Sequence, residues 1–215
     1  MTRPTHRAYH SIATPRLLIR SAVPSDAQAI ASLRGDPKNN PYTPVEPNLS
    51  AAVFEDRIRT WTASAQEGKN AFMVIILLDN PTSSDGAGNL IGFGGFNCFE
   101  AESDSPTAQV VADTGVMIDH EYWGTGYARE AVCATVEYGL YTLGCGQITM
   151  DTSVDNEPWR GLMRSIGLGP VERLREVGGE ANPQQEWVYR FGRSEWEKAR
   201  QQMMAGGKWM LDKTL

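Results

Sequence analysis

The chain is poor in the residues that mark several common functions. Its three cysteines, Cys98, Cys133 and Cys145, stand in apolar surroundings with neither a CxxC nor a Cys/His spacing. Buried thiols and no metal site are therefore expected. Long apolar runs are missing too. The longest, residues 72–78, is far short of the ~20 residues a helix needs to cross a bilayer, so no membrane partner is expected. Basic side chains are outnumbered, 20 against 26 acidic ones, for a net charge of −6. That balance argues against a nucleic-acid partner and is compatible with attracting cationic amines. The first ten residues hold Arg3, His6, Arg7 and His10 but no apolar core or cleavage pattern. No secretory signal is read there, and the cytoplasm is the expected compartment, with the nucleus left open.

What is present suits one domain of ordinary size: 215 residues, 41% hydrophobic and 21% charged. The organising stretch is 113–131. An apolar run, Val116-Met117-Ile118, meets a short polar turn, then Gly124-Thr125-Gly126, after which apolar residues recur at helical spacing through Leu143. This reads as a strand, a glycine turn and a helix. The first amides of a helix lack carbonyl partners and carry the positive end of its dipole, so such a turn is a seat for phosphate. A plain helix start after a glycine turn is the competing reading. Two known phosphate patterns fail on the letters: a dinucleotide fingerprint needs a third glycine where Arg129 stands, and a P-loop needs a Gly-Lys-Ser/Thr ending.

Residues 122–131, Tyr-Trp-Gly-Thr-Gly-Tyr-Ala-Arg-Glu-Ala, resemble the acyl-CoA motif of the GNAT superfamily of N-acetyltransferases, in the branch typified by the enzymes that acetylate ribosomal-protein N-termini. The resemblance implies an α+β (α/β mixed sheet) fold, with a central, mostly antiparallel sheet flanked by helices.

The rest of the chain reads in that order. A loose tail over 1–13 precedes a strand at 17–19, and Ser25 with Gln28 offers a capping box for a helix ending at Gly35. Four prolines make 35–49 a loop, and Ser50 caps a second helix with Val53, Phe54, Ile58 and Trp61 on its apolar side. Strands follow at 71–78, 90–96 and 109–118, separated by loops at 79–88 and 100–108. The glycines of 90–96 mark a bulge, a close backbone approach, or packing against a neighbouring element. After the helix from Tyr127, stopped by Gly144-Cys145-Gly146, come a strand at 147–152 and a short helix between Pro158 and Gly167. Strands at 171–177 and 186–191 form a hairpin across 178–185, and Ser194 with Glu197 starts a C-terminal helix. The expected division is a tail at 1–13, an acetyltransferase domain at 14–192, and a helix and tail at 193–215.

The resemblance also implies site residues. Acetyl-CoA, as co-substrate, lays its pyrophosphate on the main chain of Trp123, Gly124, Thr125, Gly126, Tyr127 and Ala128. Its pantetheine arm runs along Val116, Met117 and Ile118, where the family splays this strand from the next. The broad superfamily has Arg or Gln three residues before the first glycine; this chain has Glu121, expected to face solvent. A second signature covers 156–168. Asn156, Leu162 and Gly167 are kept, but Trp159 replaces a small residue and Met163 a frequent tyrosine acid. Asn156 either binds the cofactor or caps its helix. Tyr42, Trp61, Phe96 and Asn97 are candidate walls of an amine pocket.

Acyl transfer to an amine poses two proton problems. An amine with pKa near ~10.4 must lose a proton at a cost of about 4–5 kcal/mol at neutral pH, whereas a thiol near ~8.5 leaves readily. A base therefore matters more than an acid. Asp113, where the family often has Glu, is the candidate, acting directly or through a water; a solvent-facing acid at a strand start is its competing reading. The implied partner is a small-molecule or protein amine, and a homodimer is left open. A non-catalytic acyl-CoA-binding protein of the same fold is the alternative, motivated by Trp159 and Met163.

Overall fold

The computed structural model describes residues 5–42, 44–78, 89–103, 108–178 and 184–211. The loop expected at 79–88, and the middles of those at 100–108 and 178–185, lie outside the described residues. Eight strands form one sheet in the order β1-β2-β3-β4-β5-β6-β8-β7. They are β1 (Ser11–Ala13), β2 (Leu17–Ser21), β3 (Ala71–Leu77), β4 (Asn89–Ala101), β5 (Val110–Ile118), β6 (Gln147–Ser153), β7 (Glu172–Val177) and β8 (Gln184–Gly192). Every neighbouring pair is antiparallel except β5 and β6.

Five helices cover the sheet: α1 (Ala27–Gly35), α2 (Ala51–Gln66), α3 (Tyr127–Glu137), α4 (Glu157–Ser165) and α5 (Arg193–Ala205). On one side α1 and α2 pack Ile30, Leu33, Phe54 and Ile58 against Val74, Ile76 and Phe93. On the other, α3 buries Ala131, Val132, Ala134 and Val136 against a core that includes Phe96, Ala112, Ile148 and Phe191. The small residues of α3 let it lie close to the sheet. Just past it, a Cβ on Gly139 would meet the Phe96 ring at 3.0 Å.

The caps differ in part from the spacing rules. Ser50 caps α2 by accepting from the Val53 amide at 3.4 Å. Ser25 does not cap the first helix, and no side chain among the described residues does: the Asp26 carboxylate accepts from the Val23 amide at 2.8 Å, closing a short turn at 24–26 ahead of α1, while Arg20 holds it. Helix α5 starts two residues earlier than the Ser194 and Glu197 pattern suggests, with Glu195 accepting from the Gly192 amide at 3.0 Å. In both places a carboxylate, not a serine, accepts the backbone amide three residues before it.

The termini are also packed more closely than composition implies. From Thr5 the tail is not loose. Ser11, Ile12 and Ala13 pair with β2, and buried His10 places Nδ1 3.0 Å from the Tyr138 hydroxyl. Helix α5 docks on α3 through fully buried Trp196, whose indole donates to Glu137 at 2.5 Å. Among the described residues no helix is long and apolar enough to cross a membrane.

Candidate functional site

Strand β5 is the axis of the site. Val111, Ala112 and Asp113 pair with Gln147, Ile148 and Thr149 of β6, and there the parallel ladder stops. On its other edge β5 stays paired with β4 as far as Ile118. The main-chain groups of an extended strand alternate between its edges. The Asp119 amide donates to Ile91 of β4 and the Val110 carbonyl accepts from Gly146 on the β6 side. Val116 and Ile118 therefore turn their main chain to the opening between β5 and β6, and Met117 turns its own to β4. This corrects the assignment of Met117 to a pantetheine arm. The Ile118 carbonyl is already taken by the Trp123 indole N–H at 2.7 Å, leaving Val116 as the residue whose amide and carbonyl both face the gap.

The glycines of β4 serve this geometry. A Cβ on Gly92 or Gly94 would collide with the carbonyl of Met117 or Gly115. Close backbone approach, rather than helix packing, explains them.

Beyond β5 the turn is stiff. The Trp123 amide donates to His120, the Thr125 hydroxyl to the Tyr122 carbonyl at 2.5 Å, and Gly124 and Gly126 adopt φ of +77° and +87°. Side chains rarely tolerate such angles, which is why glycine stands at both. The Trp123 amide is taken by that His120 bond, against its expected place on the phosphates, and the next amide to find a carbonyl is that of Glu130, bonded to Gly126 at 3.1 Å. The amides of Gly124, Thr125, Gly126, Tyr127, Ala128 and Arg129 have no partner among the described residues. A Cβ on Gly124 would meet nothing within 4 Å, so the concavity is open. Glu121 is exposed, as its charge requires. A cluster of unpaired donors at the end of a strand with a free edge fits an acyl-CoA, whose diphosphate and amide-bearing arm need those two features in that order.

Asp113 sits where the β5 and β6 ladder ends. Its carboxylate is half-buried and accepts from the Asn97 side-chain amide at 2.7 Å. Burial pushes the carboxyl above its ordinary range; the Asn97 hydrogen bond opposes this, and the negative charges of Asp151 and Glu100 add to it. Cys98, the Cα partner of Asp113, is only partly buried, and its thiol is pushed up to about 11, first by burial and then by Glu100 and Asp113. Cys133 and Cys145 are buried.

The other expected residues divide. Asn97 joins Asp113 because the β4–β5 register shifts between Phe96 and Cys98. Phe96 does not join them. It pairs with Thr114, points to the opposite face and is 1% exposed in the α3 core, so it is no wall of an amine pocket. Trp61, on α2, stacks on Phe72 with ring centroids 4.0 Å apart and packs against the core beneath that helix. Tyr42 lies exposed on the loop before α2. Asn156 caps α4, accepting from the Trp159 amide at 3.1 Å and donating to Thr152 at 2.9 Å. Met163 is fully buried in the core. Trp159 packs against that core, with its indole N–H buried and unpartnered. Two residues that sequence reasoning passed over stand at the turn: Glu130 and Arg16. The only sequence sign was Glu130 in the first turn of a helix; nothing announced that residue 16 would meet it.

A family model described as an acetyltransferase (GNAT) domain matches residues 16–169, and the chain belongs to that family. Membership makes it a transferase of the acyl-CoA-dependent acetyltransferase class. Among curated proteins it is 26% identical over 164 residues to the uncharacterized N-acetyltransferase p20 of Bacillus licheniformis, covering 76% of this chain and 84% of that one. Among solved structures it resembles RimJ of Mycobacterium smegmatis in complex with CoA-disulfide, with a TM-score of 0.70 at 15% identity, over 97% of this chain and 98% of that one. It also resembles the ribosomal-protein-S5-alanine acetyltransferase from Vibrio fischeri, with a TM-score of 0.67 at 15% identity, over 87% and 98%. At these identities the solved structures speak for the fold.

Proposed function

We propose that this protein is an acetyl-CoA-dependent N-acetyltransferase that acetylates a primary amine by direct attack in a ternary complex. The observation that carries this reading is the release of the β5 edge at Val116, between a half-buried carboxylate at one end and a turn of unpaired amides at the other. Bound acetyl-CoA supplies the thioester carbonyl. The chain's own groups supply the rest. The amides of residues 124–129 hold the diphosphate, and the Val116 main chain holds the pantetheine amides in an edge-strand manner. The Val116 amide also faces the gap where it can polarise a carbonyl; one such donor is worth a few kcal/mol in other enzymes. Asp113 takes the proton of the incoming amine, directly or through one water, and its raised pKa makes it a better base than an exposed aspartate. The negative charges of Asp151 and Glu100 beside it, partly offset by Arg175, which pairs with Asp151 at 3.7 Å, favour a cationic acceptor.

The test is calorimetric titration of the native protein and of Gly124→Asp with acetyl-CoA and CoA, followed by turnover with a panel of polyamines, lysine peptides and peptide N-termini. Micromolar binding that the aspartate abolishes, with turnover of at least one amine, is expected. A native protein that binds neither ligand would overturn the reading. Binding without turnover of any amine would favour an acyl-CoA-binding protein instead.

A further inference from the structure

We propose that Arg16 is the side-chain ligand of the acyl-CoA diphosphate: its guanidinium is fixed beside the glycine turn with one nitrogen left for an anion. The inference rests on the acyl-CoA reading above and concerns a residue from β2's leading edge, remote in sequence from the turn.

Arg16 is held from several directions. Its Nε donates to Glu130 Oε2 at 2.6 Å, and its own backbone amide donates to Glu130 Oε1 at 3.0 Å. Its Nη1 donates to the Thr125 carbonyl at 3.2 Å, inside the turn. Its guanidinium carbon lies 4.4 Å from the centroid of the Tyr127 ring. Glu130, only 1% exposed, is in turn fixed by the Thr14 hydroxyl at 2.7 Å. The remaining nitrogen, Nη2, is buried and has no hydrogen-bond partner. It lies 3.5 Å from the point a Cβ on Gly126 would occupy, and the Met210 methyl lies 3.9 Å from that same point.

A buried, unpaired guanidinium N–H is costly, and native structures rarely keep one without reason. Here the missing acceptor has a natural source. The unpaired amides of the turn mark where an anion sits, and Nη2 stands at their edge beside Gly126. Glu130 already balances much of the arginine's charge, so Arg16 adds donors in fixed directions more than net attraction. That division favours arginine over lysine. Nε holds the carboxylate and Nη1 the backbone while Nη2 stays free, and an ammonium on a flexible stem cannot serve all three positions.

The experiment compares native protein and Arg16→Lys by calorimetry with three probes: CoA, dephospho-CoA, which lacks the 3′-phosphate, and pantetheine, which has no phosphate. The lysine keeps a cation for Glu130. Affinity for CoA and for dephospho-CoA is expected to fall alike, by roughly ten- to hundredfold, while pantetheine binding is unchanged. A loss seen with CoA alone would move Arg16 to the 3′-phosphate and overturn the diphosphate assignment. Equal binding of CoA by the two proteins would overturn the proposal outright. Native protein that binds no CoA would instead sink the acyl-CoA reading beneath it. Should Arg16→Lys fold poorly, the guanidinium NMR resonances of Arg16 in the native protein provide the second measurement. They are expected to shift on adding CoA or dephospho-CoA and to stay in place with pantetheine; no shift with either phosphate-bearing probe would overturn the assignment.

Discussion

Val111, Ala112 and Asp113 of β5 have a paired neighbour on both edges, whereas around Val116 only the β4 side has one and Val116 turns its own main chain to the gap. The two halves of one strand thus do different work. The doubly paired half is rigid and sets Asp113 at a fixed place where the gap begins. The singly paired half exposes main-chain donors and acceptors, which elsewhere in the molecule would invite another strand. Here the opening ends at a turn of free amides, and a ligand that combines amide groups with phosphates satisfies both. The proposed catalytic side chain and the proposed cofactor edge are adjacent because one strand changes its pairing partway along.

The largest expected effect breaks the paired half chemically and leaves its geometry alone. Asp113→Asn should lower kcat by about 10²- to 10⁴-fold, the usual worth of a general base, with CoA affinity unchanged by calorimetry. An unchanged kcat would remove Asp113 from the mechanism and leave only the open half of the strand with a role.

The next effect strikes the support of the open half. Glu130→Ala leaves the Arg16 guanidinium without its buried carboxylate and deprives the Thr14 hydroxyl and Arg16 amide of their acceptor. Stability should fall by about 3–5 kcal/mol, as when one partner of a buried pair is removed. Urea denaturation checks this; a midpoint within error of the native protein's would show that the pair does not brace the turn.

The smallest effect sharpens the comparison through pH. Asp113 must be ionised to act as a base, so activity should fall on the acid side as pH drops through its raised pKa. Asp151→Asn removes a neighbouring negative charge that raises this pKa, so the acid limb of the kcat/KM profile should move to lower pH. A limb that stays in place would show that the two carboxylates are not coupled. The same shift has a stability consequence of definite sign. An acid whose folded pKa lies above its unfolded one costs stability when ionised, fully so above the folded value, and the cost vanishes as pH falls below the unfolded value. Asp113 is thus a group that folding tolerates for its position.

Much of this architecture could be read from local spacing. The strand, glycine turn and helix at 113–131, the order of the later strands and helices, and the terminal hairpin all appear where periodicity and turn residues put them. The main failures came one residue at a time. Phe96 and Asn97 are neighbours, yet the register shift sends Phe96 into the α3 core and leaves Asn97 on Asp113. Ser25 makes no cap because the chain first closes a short turn at 24–26, in which the Asp26 carboxylate takes the Val23 amide. The tail from Thr5 read as loose because its anchors, Ser21 and Tyr138, are distant in sequence.

The sequence by itself determined the glycine turn, since glycines, small residues and helical spacing act over a few bonds, and it determined the family, because that turn carries the motif. Only the tertiary structure decided where β5 parts from β6, which face each side chain of β4 takes, and that Arg16 reaches Gly126. Those outcomes depend on strand register and on contacts across more than a hundred residues. Local pattern constrains such contacts only to a period of two or 3.6, and folding the whole sheet selects among them.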